Sequence, residues 1–311
     1  MLAFLAPGQG SQTPGMLAEW LELPGAADRI AAWSQISGLD LAALGTTAGA
    51  EEITDTAVTQ PLVVAATLLA YEELTKRDVL TGDEQIIAAG HSVGEIAAYA
   101  IAGVITADEA VALAATRGKE MAKACALEPT GMSAVLGGDE AEVLARLEAL
   151  DLVPANRNAA GQIVAAGAVA ALEKLAEDPP AKARVRQLAT AGAFHTQYMA
   201  PALEQYTTVA DRIDPAEPAV TLLSNADGAP VASGADAMAK LVAQLTRPVR
   251  WDLCTATLRE RFASDGVSAH LVEFPPAGTL TGIAKRELRG VPAHAVKSPA
   301  DLDGLAAALR T

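Results

Sequence analysis

Gln85-Ile-Ile-Ala-Ala-Gly-His-Ser-Val-Gly-Glu-Ile-Ala-Ala-Tyr, residues 85–99, sets an apolar run, a Gly-x-Ser-x-Gly turn and a second apolar run end to end. The first run reads as a buried strand and the second as a helix. Ser92 therefore falls on a strand-turn-helix junction, the context a nucleophile elbow requires. Gly90 and Gly94 carry no Cβ to block close strand-helix approach, which lets Ser92 take strained dihedrals with its hydroxyl exposed. The backbone N–H of Val93 then lies at a helix N-terminus, where it can donate to an oxyanion while the helix dipole favours the developing charge. A plain tight turn shows the same five-residue pattern, so the rest of the chain has to decide between them.

Outward from this stretch, short strand-like runs such as Leu2 to Leu5 alternate with helical periods, which predicts an α/β fold with parallel strands. Thr106 and Glu109 form a capping box ahead of a helix that runs to about Ala126, and Glu128-Pro129-Thr130-Gly131 breaks the pattern. From there the order is strand (133–136), helix (140–150), strand (152–156), strand (162–166), helix (169–176) and strand (184–188). That β-α-β-β-α-β order is the ferredoxin-like motif. Strand patterns resume at 220–224 and 270–274 and would complete the first sheet. The expected organisation is a large α/β catalytic domain, 1–127 with 190–311, and an inserted small domain, 128–189.

Composition narrows the function. With 51% hydrophobic and 20% charged residues among 311, the chain reads as ordinary globular protein able to bury a sizeable core. Its longest apolar stretches fall well short of the roughly 18 residues of a membrane span, so no membrane association is expected. The N-terminus lacks the basic start of a signal peptide and reads as a first strand, giving a cytoplasmic address. A formal net charge of −15 argues against nucleic acid as a partner, since phosphate-backbone binding is driven by lysine and arginine. Cys125 and Cys254 belong to no Cys-x-x-Cys pair and read as two buried thiols.

A serine hydroxyl needs a base, and the chain holds four histidines, at 91, 195, 270 and 294. His91 adjoins the nucleophile, so its side chain is expected to project away from it. His270 and His294 lie in apolar strand-like runs. His195, in the small-residue loop Ala191-Gly-Ala-Phe-His-Thr, is left, and spacing alone leaves base and ordinary loop histidine both open. Arg117 falls on the helical face of Ala110, Leu113, Ala114, Met121 and Ala124, so a cation sits in an apolar stripe. An unpaired buried guanidinium is costly, so it calls for either a protein carboxylate or an anionic ligand held by its planar fork. Pro7-Gly-Gln-Gly-Ser-Gln frees backbone N–H groups to point at a ligand, but with threonine at 13 it is neither a Walker A loop nor a full Gly-x-Gly-x-x-Gly.

Taken together the motifs resemble those of the malonyl-CoA:acyl carrier protein transacylases. The resemblance spans essentially the whole chain and rests on Pro7-Gly-Gln-Gly-Ser-Gln, Thr59-Gln-Pro, Gly90-His-Ser-Val-Gly-Glu, Arg117-Gly-Lys, Asn156-Arg-Asn-Ala-Ala-Gly-Gln, Gly192-Ala-Phe-His, Ser224-Asn-Ala-Asp and Arg247-Pro-Val-Arg-Trp, in family order. It implies an α/β-hydrolase-like large domain with a ferredoxin-like insert and an active site in the gorge between them. By that resemblance Ser92 is the acylated nucleophile and His195 its base, with no acidic third member. The main-chain carbonyl of Arg250 is expected to orient the imidazole. The backbone N–H of Gln9 joins that of Val93 at the oxyanion, and Arg117 binds the malonyl carboxylate. Gln60 is assigned to substrate binding, and Phe194, the residue before the histidine, is associated with preference for malonyl over methylmalonyl. Asn156 and Asn158 are assigned to the pantetheine arm, although asparagines before Gly-Gln are equally good turn formers.

The activity so implied is ping-pong transfer of malonyl from malonyl-CoA to the phosphopantetheine thiol of holo acyl carrier protein, for fatty-acid or polyketide synthesis. No metal or redox cofactor is required; the coenzyme A thioester is a substrate. The alternative class is a serine hydrolase or thioesterase, which shares elbow and base but passes the acyl group to water, and a non-catalytic docking protein is a further rival. One departure is Glu273-Phe-Pro-Pro-Ala-Gly where many members carry Gly-Pro-Gly. Carrier proteins are typically acidic, so docking is expected at a basic patch. Lys174, Lys182, Arg184 and Arg186 on the insert are expected ahead of Lys285, Arg286 and Arg289.

Overall fold

Ten strands form two five-stranded sheets among the residues described by the computed structural model, 1–77, 79–80, 82, 84–264 and 268–309. Positions 78, 81, 83, 265–267, 310 and 311 of the expected large domain lie outside the described residues. The strands are β1 (Leu2–Ala6), β2 (Ile86–Gly90), β3 (Thr130–Gly137), β4 (Val153–Ala159), β5 (Gln162–Ala168), β6 (Ala183–Gln187), β7 (Thr221–Leu222), β8 (Val249–Arg250), β9 (His270–Glu273) and β10 (Ala293–Ala295). The helices are α1 (Ala26–Ser37), α2 (Leu41–Thr46), α3 (Thr56–Lys76), α4 (Gly94–Ile101), α5 (Ala107–Cys125), α6 (Glu140–Ala149), α7 (Val169–Glu177), α8 (Leu203–Ala210), α9 (Gly234–Ala243), α10 (Trp251–Ser264), α11 (Thr279–Glu287) and α12 (Pro299–Leu309).

The first sheet runs β10-β9-β1-β2-β7 with every neighbouring pair parallel. Its strands are apolar on both faces, as a sheet covered on both sides demands. Leu2, Phe4, Ala6 and Ala88 pack into the layer of α1, α3, α4 and α5, while Ala3, Leu5, Ile87 and Ala89 pack against α10 and α11. Ala6 pairs with Gly90, so β1 and β2 end together. The loops that leave them, carrying Gln9 and Ser92, emerge side by side at the carboxyl edge of the sheet, where open α/β sheets bind ligands.

The second sheet runs β6-β3-β5-β4-β8, antiparallel except for the parallel β4-β8 pair. Val135, Ile163 and Ala165 bury one of its faces against α6 and α7. The alternate residues Met132, Ala134 and Val164 present the other face to a gorge at the mouth of the first sheet. The structure departs from the sequence reading in three places. β4 continues beyond the expected end at Asn156 to Ala159, so Asn158 also lies on a strand and not in a turn, and both asparagine side chains line the gorge. β8, from the far side of the chain, adds a fifth strand to the four expected of the insert, while β10 forms in the strand-like run of His294 at the edge of the first sheet. Cys254 is buried as expected, but Cys125 is half-buried.

The capping box of Thr106 and Glu109 is formed at the head of α5. At the elbow the expected close approach is measurable. A Cβ on Gly90 would lie 2.0 Å from the carbonyl oxygen of Gly94, and one on Gly94 would lie 2.2 Å from that of Ala6 and 2.5 Å from that of Pro7. These are backbone atoms with no freedom to turn away. Gly282, exposed within α11, has nothing within 4 Å of its Cβ position. Gly94→Ala is accordingly expected to lower the unfolding free energy by about 3 kcal/mol, whereas Gly282→Ala raises it by about 0.5–1 kcal/mol. Urea unfolding of the two variants checks both signs, and a neutral Gly94→Ala would mean that α4 is free to back away from β1.

Candidate active site

Ser92 adopts φ 54°, in the left-handed region, as the elbow requires. Its backbone is pinned from β7's side of the sheet. Asn225 Oδ1 accepts from the Ser92 N–H at 2.8 Å, and Asn225 Nδ2 donates to the Gly90 carbonyl at 2.6 Å, so one side chain clamps both ends of the turn. His195 also has a positive φ, 60°, and is 2% exposed. Its Nε2 lies 2.7 Å from Ser92 Oγ, bringing together the two residues that the sequence could pair only by elimination.

The other imidazole nitrogen corrects an expectation. His195 Nδ1 meets the main-chain carbonyl of Gln244 at 2.8 Å, not that of Arg250. Gln244 caps the C-terminus of α9 and opens a 3-10 turn over Gln244–Thr246, and its carbonyl, which also accepts from the Arg247 N–H at 3.3 Å, lies at a helix end that carries partial negative charge. Arg250 is committed elsewhere: it pairs with Arg157 across β8 and β4, and its guanidinium binds Asp252 at 2.9 and 2.8 Å. His91 turns aside as expected, with its Nε2 2.8 Å from Asn158 Oδ1 and its ring edge-on to Trp251. His270 and His294 lie in the first sheet, 3.1 Å from each other.

Arg117 is 1% exposed on α5. It finds no protein carboxylate. Nη1 donates to Gln60 Oε1 at 2.8 Å and Nη2 to Gln244 Oε1 at 2.8 Å, both neutral amide oxygens, and Nη2 also lies 3.5 Å from Ser92 Oγ. Its Nε has no partner. Gly118 makes this placement possible, since a Cβ there would fall 2.6 Å from the Thr56 carbonyl at the head of α3, the helix that carries Gln60. A cation thus sits dry beside the nucleophile with its charge unmet by any contacting anion.

Serine, histidine and arginine line one cavity of about 520 Å³ between the two sheets, together with Gln9, Gln60, Asn156, Asn158 and Phe194. The size suits a small-molecule ligand. Among the described residues no protein acceptor meets the backbone N–H of Gln9, which lines the cavity, or of Val93, which adjoins Ser92 at the head of α4. No group of three or more His, Cys, Asp or Glu among the described residues is placed to hold a metal ion.

Three residues of the site escaped the sequence reading. Asn225 and Glu95 stand inside quoted motifs without having been given a role, and Gln244 stands in none. Glu95, fully buried on α4, accepts from Asn225 N at 2.6 Å and from Gln244 Nε2 at 2.5 Å. Burial raises its carboxyl to about 7 against the opposing pull of those N–H donors and of Arg117. His195 moves the other way. Burial first, and then the Arg117 charge, push its imidazole down to about 3, so the resting base is neutral and ready to accept a proton.

Residues 3–300 match the acyl transferase domain family. A malonyl CoA-acyl carrier protein transacylase of Mycolicibacterium smegmatis is 80% identical over 290 residues, covering 93% of this chain and 99% of its own. Its counterpart in Mycobacterium tuberculosis is 74% identical over 306 residues, covering 98% and 99%. Among solved structures, the crystal structure of MCAT from Mycobacterium tuberculosis superposes with a TM-score of 0.94 over 98% of this chain and 99% of that one, at 74% identity. A malonyl-transacylase solved in complex with its type II PKS acyl-carrier protein gives 0.89 at 31% identity over 99% of each chain.

The depressed imidazole has a consequence for stability. Its folded value lies below the 6.5 of an unperturbed histidine, so as pH falls the unfolded chain takes up the proton first, and stability is lost from about 6.5 downward until about 3. Glu95 acts with opposite sign, stabilising below 4.5 and losing that contribution as pH rises to about 7, but it is common to parent and variant. His195→Gln is expected to gain about 2 kcal/mol on the parent chain between about pH 7 and pH 5 in urea unfolding. A pH-independent difference would mean that the folded imidazole titrates like a free one.

Proposed function

The chain belongs to the acyl transferase family, and we propose that Ser92 carries a malonyl group between two thiols with His195 as its base. The activity is transfer of malonyl from malonyl-CoA to the phosphopantetheine thiol of acyl carrier protein, which supplies extender units for fatty-acid or polyketide synthesis. The observation that carries the assignment of the acyl group is Arg117, a buried guanidinium with two neutral partners and 3.5 Å from the nucleophilic oxygen. A carboxylate on the far end of a short acyl chain supplies the missing charge.

As Ser92 Oγ attacks the thioester carbonyl, His195 Nε2 takes its proton, and the imidazolium is steadied by its Nδ1–H donating to the Gln244 carbonyl. The negative charge on the carbonyl oxygen falls to the N–H groups of Val93 and Gln9. Collapse breaks the C–S bond, and the proton passes from His195 to the departing coenzyme A thiolate. The carrier thiol then gives its proton to His195, attacks the seryl ester, and the proton returns to Ser92 Oγ as the ester breaks. Phe194, buried on the cavity wall beside His195, leaves little room for a branch on the acyl chain. Asn156 and Asn158 face the same cavity from β4, in position to meet the amides of the pantetheine arm, and Gln60 holds Arg117 in place.

The parallel sheet with its elbow is assigned to the α/β-hydrolase-like architecture, spanning 1–127 and 190–311, and the sheet of 128–189 to the ferredoxin-like one. The strand order β6-β3-β5-β4 with two helices on one face supports the latter. The cytoplasm is the proposed setting, in keeping with two free thiols. Carrier docking is proposed on the insert. Arg184 and Arg186 are exposed on β6, an edge strand that leads directly into Leu188, Ala189 and Thr190 on the wall of the gorge.

Two results test these assignments. Arg117→Ala is expected to lower kcat/KM for malonyl-CoA roughly 10²-fold while narrowing its advantage over acetyl-CoA, as losing a buried charged contact implies; unaltered preference would remove Arg117 as the anchor, and free malonate in place of malonyl-carrier would make the enzyme a hydrolase. Arg184→Glu with Arg186→Glu is expected to raise the KM for the carrier several-fold, roughly 10-fold at low salt, and to spare formation of malonyl-Ser92 from malonyl-CoA. Unchanged carrier kinetics would move the docking surface elsewhere.

A further inference from the structure

We propose that Glu95 is a positioning residue that acts through the Gln244 side chain to hold Arg117 for the acyl carboxylate, balancing its charge without touching it. The proposal rests on the malonyl reading above. Glu95 lies on the first turn of α4, three residues beyond the nucleophile, and no part of it reaches solvent. Its Oε1 accepts from the Asn225 N–H and its Oε2 from Gln244 Nε2. The same Gln244 amide then offers Oε1 to Arg117 Nη2 at 2.8 Å. Carboxylate, amide and guanidinium therefore form one chain, with an acceptor-only group at one end and a donor-only group at the other.

That arrangement admits a single orientation of the amide. Turned over, Gln244 would set its NH₂ against the guanidinium and its oxygen against the carboxylate. Nε2 is further fixed by the Ser92 carbonyl at 3.1 Å and Asn225 Oδ1 at 3.3 Å. Polarised from both ends, the amide passes part of the carboxylate's charge toward Arg117. A carboxylate in direct contact with Arg117 would do the same more strongly, but it would occupy the positions a substrate carboxylate needs. One amide's remove lets the resting site tolerate a buried cation while leaving it available. Because the main chain of Gln244 also receives His195 Nδ1, the residue that Glu95 anchors serves both the base and the anion anchor.

Glu95→Gln tests this with little change of shape. Its remaining carbonyl oxygen still accepts from Asn225 N, so the elbow keeps its support, but its NH₂ faces the NH₂ of Gln244. The expected result is a fall in kcat/KM for malonyl-CoA of about tenfold, carried mainly by KM, with acetyl-CoA turnover changed by less than about threefold. Adding Glu95→Gln to Arg117→Ala should cost nothing further, because both act on the same contact. Glu95→Asp, which keeps the charge, should recover part of the loss. Equal losses for malonyl and acetyl groups, or losses that multiply in the double variant, would reduce Glu95 to a support of the elbow and overturn the proposal. Should Glu95→Gln not accumulate as folded protein, Gln244→Leu removes the link from its other end while keeping the main-chain carbonyl for His195, and its loss must be greater for malonyl-CoA than for acetyl-CoA. If Arg117→Ala itself leaves malonyl preference intact, the reading of Arg117 as the malonyl anchor fails; if it removes the preference and Glu95→Gln does not weaken it, only the present proposal does.

Discussion

The backbone of Gly94 lies against the carbonyl oxygens of Ala6 and Pro7 at a separation no side chain tolerates. That contact brings the N-terminus of α4 down onto the end of β1, and the chain between β2 and α4 has no room for a gradual turn. Ser92 is forced into the left-handed region, its hydroxyl is thrust out of the sheet, and the Val93 N–H is left at the helix end with no acceptor among the described residues. Parallel pairing of Ala6 with Gly90 then brings the Gln9 loop alongside. The strain at Ser92 is held by Asn225, whose side chain satisfies the Ser92 N–H and the Gly90 carbonyl together. A rigid turn with Ser92 at its apex follows from packing before any catalytic group is considered.

Around this elbow the polar groups obey a strict accounting. Arg117, Glu95, Gln244, Gln60 and Asn225 are all buried, and each finds partners within the group. Only the charge of Arg117 lacks an anion at contact distance. The proposed role of Arg117 depends on that imbalance, since a guanidinium already paired with a protein carboxylate would gain little from a ligand's. The same reasoning bears on the dyad. His195 Nδ1 and Arg117 Nη2 both bind Gln244, one at its main chain and one at its side chain. A third catalytic acid at that position would therefore lie within reach of the guanidinium and neutralise it. The carbonyl at the C-terminus of α9 orients the imidazole with a dipole and leaves the cation free.

Much of this was legible in the chain. The elbow announced itself because its signal is local: strand, glycine-serine-glycine turn and helix are consecutive, and steric necessity fixes the glycines. The order of strands and helices over 133–188 was legible for the same reason, each element being long enough to show a period. Arg117 stood out as a charge on an apolar helical face. Illegible features share the opposite property. β8 has two residues, too few for any periodicity, and exists only because a longer strand templates it. Gln244 bonds to His195 and Arg117 across 49 and 127 residues, and a glutamine at a helix end has no pattern that distinguishes it. The orienting carbonyl went to Arg250 in the sequence reading because a main-chain acceptor leaves no trace in residue identity.

The pairing of a neutral base with an unneutralised cation also explains why the two sheets must close over the site. In water an imidazole beside a guanidinium loses little basicity, and a guanidinium holds a carboxylate weakly, because solvent screens both. Buried between the carboxyl edge of the first sheet and the open face of the second, the same groups act at short range in a poorly polarisable medium. His195 is kept unprotonated by burial and by Arg117 together. On the proposed malonyl reading, the acyl carboxylate offsets the Arg117 charge, and the penalty that this charge imposes on protonating His195 falls. The anion would then strengthen the base when it is needed, whereas an acyl group without a carboxylate would leave the imidazole suppressed. Selectivity and basicity, so read, follow from one buried charge.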